Sequence, residues 1–187
     1  MKQYYWDMAI KENSEGKPFY DVVIATPGSV IHRKYIKSLM ETVAWLQEQR
    51  MSWLWLNKAS SFVSDAREKT ALNRDANDWD TTEIGCGEFD YEKMVWIDSD
   101  VEWKVEDFDR LIGHDLDIVS GMVPSSTDGR ISATNFDENG HPGMINGLDY
   151  LLEGDPVRVD GVGFGFLCVR KGVFEKMPRP WFKIEKR

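Results

Sequence analysis

Two aspartates separated by one residue, Asp98 and Asp100, directly follow the apolar run at residues 94–97. Carboxylates at the end of a buried strand can direct their oxygens into one cleft, where they repel each other unless a cation lies between them. Mg²⁺ or Mn²⁺ prefers such ligands and could neutralise the charge on a departing phosphate. The alternative is a turn in which the Asp98 side chain caps the following segment. The spacing alone leaves both interpretations open.

Acidic triplets of this kind are expected by chance in a chain with 32 Asp and Glu among 187 residues. Three further pairs have the same spacing: Asp78/Asp80, Asp107/Asp109 and Asp115/Asp117. A short motif is therefore only a hypothesis until its structural context is known. Only the Asp98/Asp100 pair directly follows a strand that looks buried, and it is the candidate we retain.

Other side chains with chemical capacity are more scattered. Asp160 opens a segment with glycines at 161, 163 and 165, which would let a ligand or another strand approach the backbone closely. The alternative is a bulge in which Asp160 caps a turn. His32, His114 and His141 are isolated, and His32 lies nearest the predicted cleft. Trp181 and Phe182 could stack on a sugar, although burial in the core is the ordinary fate of such rings.

The elements that must position these residues follow from hydrophobic periodicity. Strands are predicted at 19–26, 52–56, 94–97 and 118–123, and helices from 31 (with Ser29 as N-cap), from 64 (with Ser64 as cap) and at 105–112. Strands that alternate with helices predict an α/β fold, with a mostly parallel, Rossmann-like central sheet flanked by helices. Further strands at 131–136 and 157–159, around a short helix at 148–152, predict a small antiparallel addition. Ligands of open α/β sheets bind beyond the carboxyl ends of the strands.

Composition limits the class of protein. The chain has 23 Lys and Arg against 32 Asp and Glu, and a net charge of −9 disfavours binding along a nucleic-acid backbone. Residues 1–10 lack the apolar core of a secretory signal, and no stretch is long and apolar enough to predict a transmembrane helix. Cys86 and Cys168 are far apart in sequence, and two reduced thiols are the simplest expectation. A cytoplasmic protein is expected.

Four segments resemble the nucleotide-sugar glycosyltransferases of the A-type fold, in their order along the chain. They are Asp21-Val-Val-Ile-Ala-Thr-Pro27, Ser64-Asp-Ala-Arg67, Val95-Trp-Ile-Asp98-Ser-Asp100 and Val159-Asp-Gly-Val-Gly-Phe-Gly-Phe-Leu167. The resemblance runs from about residue 21 to residue 182 and suggests a small member of phage or bacterial type. It implies one domain over 1–187, with a nucleotide-binding half at 20–124 and a donor-sugar and acceptor half at 125–187.

The resemblance also implies roles for individual residues. Thr26 and Pro27 correspond to the end of the first strand, which holds the base and ribose. Asp65 and Arg67 correspond to residues that approach the nucleotide and its phosphates. Asp98 would lie near the ribose or the metal, and Asp100 would ligate Mn²⁺ or Mg²⁺ directly.

Asp160 corresponds to a residue on the donor-sugar and acceptor side, where it would bind sugar or act as the base. Relatives of this type continue into an acidic motif and a late histidine that this sequence lacks after residues 180–182. We therefore expect a fragment or a reduced form, with the acceptor half incomplete.

The leading expectation is a metal-dependent glycosyltransferase that transfers a sugar from a nucleoside-diphosphate sugar to an unknown acceptor. One alternative is a non-catalytic or truncated nucleotide-sugar-binding domain. A second is a sugar nucleotidyltransferase, which the short, uncharged loop at residues 27–30 disfavours. The sequence leaves UDP and GDP donors, the sugar, and inversion or retention open.

Overall fold

The computed structural model describes residues 11–75, 81–125, 130–147 and 155–182. Within them the chain forms nine strands and three α-helices. The strands are β1 (Lys11–Glu12), β2 (Pro18–Pro27), β3 (Trp53–Lys58), β4 (Asp90–Ile97), β5 (Ile118–Ser120), β6 (Arg130–Phe136), β7 (Pro142–Asn146), β8 (Gly161–Val162) and β9 (Phe166–Arg170). The helices are α1 (Arg33–Glu48), α2 (Val63–Leu72) and α3 (Val105–Gly113). Asp78, Asp80, residues 1–10 and the helix predicted at 148–152 lie outside the described residues.

The larger sheet is mixed, and the prediction of a mostly parallel, Rossmann-like central sheet was wrong. Its strands lie in the order β1-β2-β4-β9-β5, and β3 also pairs with β2. Strand β2 is parallel to β3 and β4, whereas the pairings β1/β2, β4/β9 and β5/β9 are antiparallel. A second sheet, in the order β7-β6-β8, is entirely antiparallel.

The error has a physical reason. An uninterrupted apolar strand indicates that both faces of the sheet are covered, and it says nothing about the direction of its neighbours. Strand β9 is such a run, and it returns from the second sheet to lie antiparallel between β4 and β5. Four of the six strands nevertheless point the same way, because β5 is antiparallel to β9 and therefore runs in the direction of β2, β3 and β4.

Alternate residues of β2 feed two hydrophobic clusters, one on each face of the sheet. Val22 and Ile24 join the cluster that contains Tyr35 of α1 and Phe108 of α3. Residues Val23 and Ala25 join the cluster on the opposite face, which contains α2 and is covered by residues near the carboxyl end, among them Phe174, Trp181 and Phe182. The two rings at 181 and 182 therefore pack against the core, as expected.

Several element boundaries differ from the prediction. Helix α1 begins at Arg33, with His32 rather than Ser29 as its N-cap. Phe62, which has no capping side chain, precedes α2 instead of Ser64. No strand forms at 157–159, so β6 pairs instead with β7 and β8. Among the described residues, no helix has the length and apolarity that crossing a membrane requires.

A buried ion pair fixes α2 to the carboxyl-terminal segment. The Nε atom of Arg179 lies 2.8 Å from Oε1 of Glu68, and each side chain is only 4% exposed. The other carboxylate oxygen of Glu68 accepts hydrogen bonds from the backbone amides of Trp181, at 3.1 Å, and Phe182, at 3.4 Å. Glu68 therefore binds three residues of that segment through one carboxylate.

We expect Glu68→Gln to lower the free energy of unfolding by about 3 kcal/mol, because it removes the negative charge that pairs with the buried Arg179 guanidinium. Urea denaturation followed by tryptophan fluorescence measures the change. The control is Glu41→Gln, which breaks the exposed pair between Lys37 and Glu41 and should cost less than about 0.5 kcal/mol. Equal costs for the two variants would show that the buried pair contributes no more than an exposed one.

Candidate functional site

The loops that follow β2 and β4 meet at one edge of the sheet, because parallel strands end on the same side. The amide of Gly28 donates a hydrogen bond to the carbonyl of Lys58 at 2.8 Å, and the amide of His32 donates to the carbonyl of Ser99 at 3.0 Å. Gly28 has φ +133°, and a Cβ at this position would lie 3.2 Å from Oγ of Ser99. The two loops are therefore in direct contact.

Asp98 lies at this edge, and its backbone and its side chain bond to different partners. Its amide donates to the carbonyl of Gly165 at 3.1 Å, and its carbonyl accepts from the amide of Val101 at 3.0 Å. Its carboxylate oxygens lie 3.2 and 3.5 Å from Nη2 of Arg67. The turn after β4 is thus closed by the Asp98 backbone, and the carboxylate pairs with an arginine instead of capping the next segment.

Arg67 reaches this carboxylate from α2. Its side chain is 21% exposed, and its Cζ atom lies 5.1 Å from the centroid of the Phe164 ring, a cation–π arrangement. Its Nε atom is buried and has no hydrogen-bond partner within the described residues. The arginine is therefore held at the site by a ring and a carboxylate, and part of its donor capacity is unused.

Asp100 is exposed and makes no hydrogen bond or ion pair with the part of the chain that the structure describes. Among the described residues there is also no group of three or more His, Cys, Asp and Glu side chains that could hold a metal ion. Two carboxylates supply hard oxygen ligands, but too few for a site built from protein alone. Carboxylate oxygens are of the kind that Mg²⁺ and Mn²⁺ prefer, and an ion held here would need its remaining ligands from water or from a bound group.

Three of the four aspartates in the other described triplets have structural partners. The carboxylate of Asp107 accepts a hydrogen bond from the amide of Lys104 at 3.3 Å and caps α3. Asp115 and Asp117 pair with Arg170, at 3.9 Å in the case of Asp117. Asp98 and Asp100 therefore differ from these triplets in their position at the carboxyl edge of the parallel strands.

Thr26 and Pro27 are both buried. The hydroxyl of Thr26 forms hydrogen bonds with the hydroxyl of Tyr35 and with Nε1 of Trp55, the latter at 3.0 Å. Burial raises the pKa of Tyr35 to about 12, against hydrogen bonds from Thr26 and Trp55 that lower it, so its hydroxyl stays protonated. These two residues, predicted to hold the base and ribose, are therefore buried at the end of β2, and the Thr26 side chain is bonded to the core.

Sequence reasoning missed Asn57, which shapes the same loop. Its Nδ2 atom donates to the carbonyl of Thr26 at 2.6 Å and to that of Gly28 at 2.9 Å. Asn57 lies beside Thr26 in the register of β2 and β3. A polar residue at the carboxyl end of a predicted strand was the signal that could have revealed it. Phe164, the ring beneath Arg67, was hidden in the glycine-rich segment.

Asp65 lies two residues before Arg67 on α2, so the two side chains do not face each other. Oδ2 of Asp65 lies 2.8 Å from Nζ of Lys69, one turn along the helix. The structure thus brings Arg67 to Asp98 and places Asp65 in an ion pair along the helix itself.

Asp160 immediately precedes β8 and bonds to β6 in the second sheet. Its carboxylate accepts a hydrogen bond from the amide of Phe136 at 2.9 Å, and its own amide donates to the carbonyl of Thr134 at 3.1 Å. The glycines that follow also contact β6: a Cβ at Gly161 would lie 2.9 Å from Cγ2 of Thr134, and the amide of Gly163 donates to the carbonyl of Ser132 at 2.7 Å. The glycines were expected to let either a ligand or another strand come close to the backbone. At Gly161 and Gly163 the structure shows a strand, β6.

A cavity of about 630 Å³ lies between α3, β5 and the second sheet. Its walls are mostly apolar, and they include Val101, one residue after Asp100, and Asp160 on the opposite side. His114 also lines it, whereas His141 pairs with Asp137 at 3.2 Å in the turn between β6 and β7. A volume of this size suits a small-molecule ligand.

Neither the protein-family models, the curated proteins nor the solved structures compared with this chain gave a match. Its functional assignment therefore depends on the sequence motifs and on the geometry of the edge at Gly28, Arg67, Asp98 and Asp100.

We expect Gly28→Ala to lower the free energy of unfolding by about 2 kcal/mol, because an L residue rarely adopts φ +133° and the new methyl group would press on Ser99. The control is Gly140→Ala, at φ +77° with no atom within 4 Å of the new Cβ, which should cost about 1 kcal/mol. Chemical denaturation measures both. If Gly140→Ala costs as much as Gly28→Ala, the contact of the new methyl group with Ser99 adds nothing to the cost of the Gly28 substitution.

Proposed function

We propose that this protein is a metal-dependent glycosyltransferase that uses a nucleoside-diphosphate sugar. The observation that carries the proposal is the arrangement at the carboxyl edge of β4. Asp98 and Asp100 emerge there, Arg67 lies against Asp98 at 3.2 Å, and the Gly28 loop packs beside them. The order of the four sequence segments that resemble nucleotide-sugar glycosyltransferases supports the same assignment.

The chemistry of the donor set supports a divalent cation, because Asp98 and Asp100 offer only carboxylate oxygens. A bound Mg²⁺ or Mn²⁺ would offset the negative charge of the departing nucleoside diphosphate. Asp100 is exposed and without a partner in the described chain, so it can ligate the ion directly, and Asp98 would assist it.

The residues of the chain have distinct parts in this proposal. Arg67 supplies a positive charge and unused N–H donors for phosphate oxygens. The Gly28 loop, held by Asn57, presents a rigid backbone on the side where the base and ribose would bind. Preorganised donors of this kind stabilise developing charge without reorganising during the reaction.

The cavity between α3, β5 and the second sheet is the proposed acceptor side. Its wall contains Val101, which follows Asp100 in the sequence, and Asp160. The carboxylate of Asp160 already accepts a hydrogen bond from the amide of Phe136. What supports a role for Asp160 in sugar binding is therefore its position in the cavity wall, and not an unused carboxylate.

A second candidate function is a non-catalytic domain that binds a nucleotide sugar. It is favoured by the engagement of Asp160, the candidate base, within the second sheet. Release of nucleoside diphosphate into water from a bound sugar nucleotide would favour the enzyme, and tight binding without release would favour the non-catalytic domain.

A cytoplasmic location is part of the proposal, and it is supported by Cys86 and Cys168, neither of which forms a disulfide.

We expect UDP or GDP to raise the melting temperature in the presence of Mn²⁺, because a ligand that binds only the folded state stabilises it by mass action. Asp100→Asn keeps the size of the side chain and removes its charge, and it should weaken Mn²⁺-dependent nucleotide binding at least about tenfold without changing the melting temperature of the ligand-free protein. Calorimetric titration measures the affinity.

The matched control is Asp109→Asn, which removes the same charge from an exposed position on α3. It should bind as tightly as the unmodified protein. Nucleotide affinity that is the same in Asp100→Asn, or independent of Mn²⁺ in the unmodified protein, would contradict the proposed metal site.

A further inference from the structure

The Arg67 guanidinium is attached to one of the two carboxylates that the proposed function assigns to the metal. Its Nη2 atom lies within 3.5 Å of both oxygens of Asp98, whereas Asp100 makes no ion pair with the described residues. In the ligand-free protein the two aspartates are therefore unequal. A cation that approaches this edge meets one carboxylate that is neutralised by an arginine and one that is available.

The environment of Arg67 makes the ion pair significant. The side chain is mostly buried, and the Phe164 ring lies 5.1 Å from its Cζ atom. Water is therefore partly excluded around the guanidinium, and a charge pair in such a setting is screened less than one at the open surface. A divalent cation must compete with this pair before both carboxylates can ligate it.

The same guanidinium has donors to spare. A guanidinium carries five N–H groups, and here only those on Nη2 contact Asp98. The Nε atom is buried without a partner among the described residues, an arrangement that costs free energy and that a bound acceptor would relieve. An anion with several oxygens, such as a diphosphate, matches this unused capacity.

We propose that Arg67 couples the two ligands: it neutralises Asp98 in the free protein and turns to the diphosphate when the donor binds, which releases Asp98 for the metal. This inference rests on the proposed function and goes beyond it, because it predicts cooperative binding. Metal alone binds weakly, and metal and nucleotide each strengthen the binding of the other by the same factor.

The decisive measurement is the affinity for Mn²⁺ alone, from the electron paramagnetic resonance signal of the free ion. Arg67→Gln removes the cation from Asp98, and we expect Mn²⁺ to bind about fivefold more tightly in the absence of nucleotide. The control Arg74→Gln removes an equal charge just beyond α2, where Arg74 pairs with Glu88 at 2.5 Å, and it should leave Mn²⁺ affinity unchanged.

A double-mutant cycle tests whether the gain acts through Asp98. In an Asp98→Asn background, Arg67→Gln should give no gain in Mn²⁺ affinity, because there is no carboxylate to release. A gain that persists in this background would assign the effect to general repulsion between Arg67 and the ion. Mn²⁺ affinity that stays the same, or falls, in the single Arg67→Gln variant would also overturn the inference.

A second set of measurements adds UDP or GDP to the Mn²⁺ titration. In the unmodified protein each active nucleotide should strengthen Mn²⁺ binding, and Arg67→Gln should reduce that factor about tenfold, because the guanidinium no longer passes to the diphosphate. An unchanged factor would overturn the coupling. If neither nucleotide binds the unmodified protein with Mn²⁺, the proposed function fails, and the Mn²⁺-only measurements still decide whether Arg67 restrains Asp98.

Discussion

The antiparallel insertion of β9 between β4 and β5 is the constraint on which the site depends. Because β9 runs against both neighbours, it begins where they end. The amide of Asp98 donates to the carbonyl of Gly165, and the amide of Gly121 donates to the carbonyl of Phe166 at 2.9 Å. The segments that follow β4 and β5 are thus hydrogen-bonded to the start of β9. All three lie at the edge that holds Asp98 and Asp100.

This insertion also determines the surroundings of Arg67. Phe164 lies two residues before β9 and is delivered to the same edge, where its ring packs against Trp96 at a centroid distance of 5.7 Å and supports the guanidinium on its face. A Cβ at Gly165 would make only ordinary contacts, 3.4 Å from Val123 and 3.7 Å from Oδ2 of Asp98, so this packing does not itself require a glycine. The electrostatics of the site therefore depend on how the hydrophobic core is packed beneath it.

Much of the element pattern could be predicted from the sequence, because hydrophobic periodicity reports local structure. The strands at β2 and β4 and the helix at α3 lie close to their predicted ranges. Strand direction could not be predicted, since β9 is an apolar run covered on both faces and its pairing is decided by long-range packing. The N-caps of α1 and α2 were misplaced because tertiary contacts, such as the bond from His32 to Ser99, fix where those helices begin.

The candidate site was predictable in part for a similar reason. Asp98 and Asp100 stand out because they follow a buried strand, and Arg67 was named only through a resemblance, since nothing local indicates that it reaches a carboxylate 31 positions away. Thr26 was expected to face a ligand, but its hydroxyl is used by Tyr35 and Trp55. The packing of the folded core decides which partner a buried polar group takes, and the order of residues in the sequence does not show it.

Arg67 and Glu68 are adjacent on α2 and point to different parts of the molecule. One contacts the aspartate at the sheet edge, and the other is locked to Arg179 and to the backbone at Trp181 and Phe182. The carboxyl-terminal segment consequently sets the rotation of this helix about its own axis. Cleavage that removed residues 179–182 would take away the partners that bury Glu68, and α2 would lose the contacts that fix its rotation. Because the ring of Phe182 also lies 5.2 Å from that of Phe164, on which the Arg67 guanidinium rests, the same loss would remove support from beneath the guanidinium at the sheet edge.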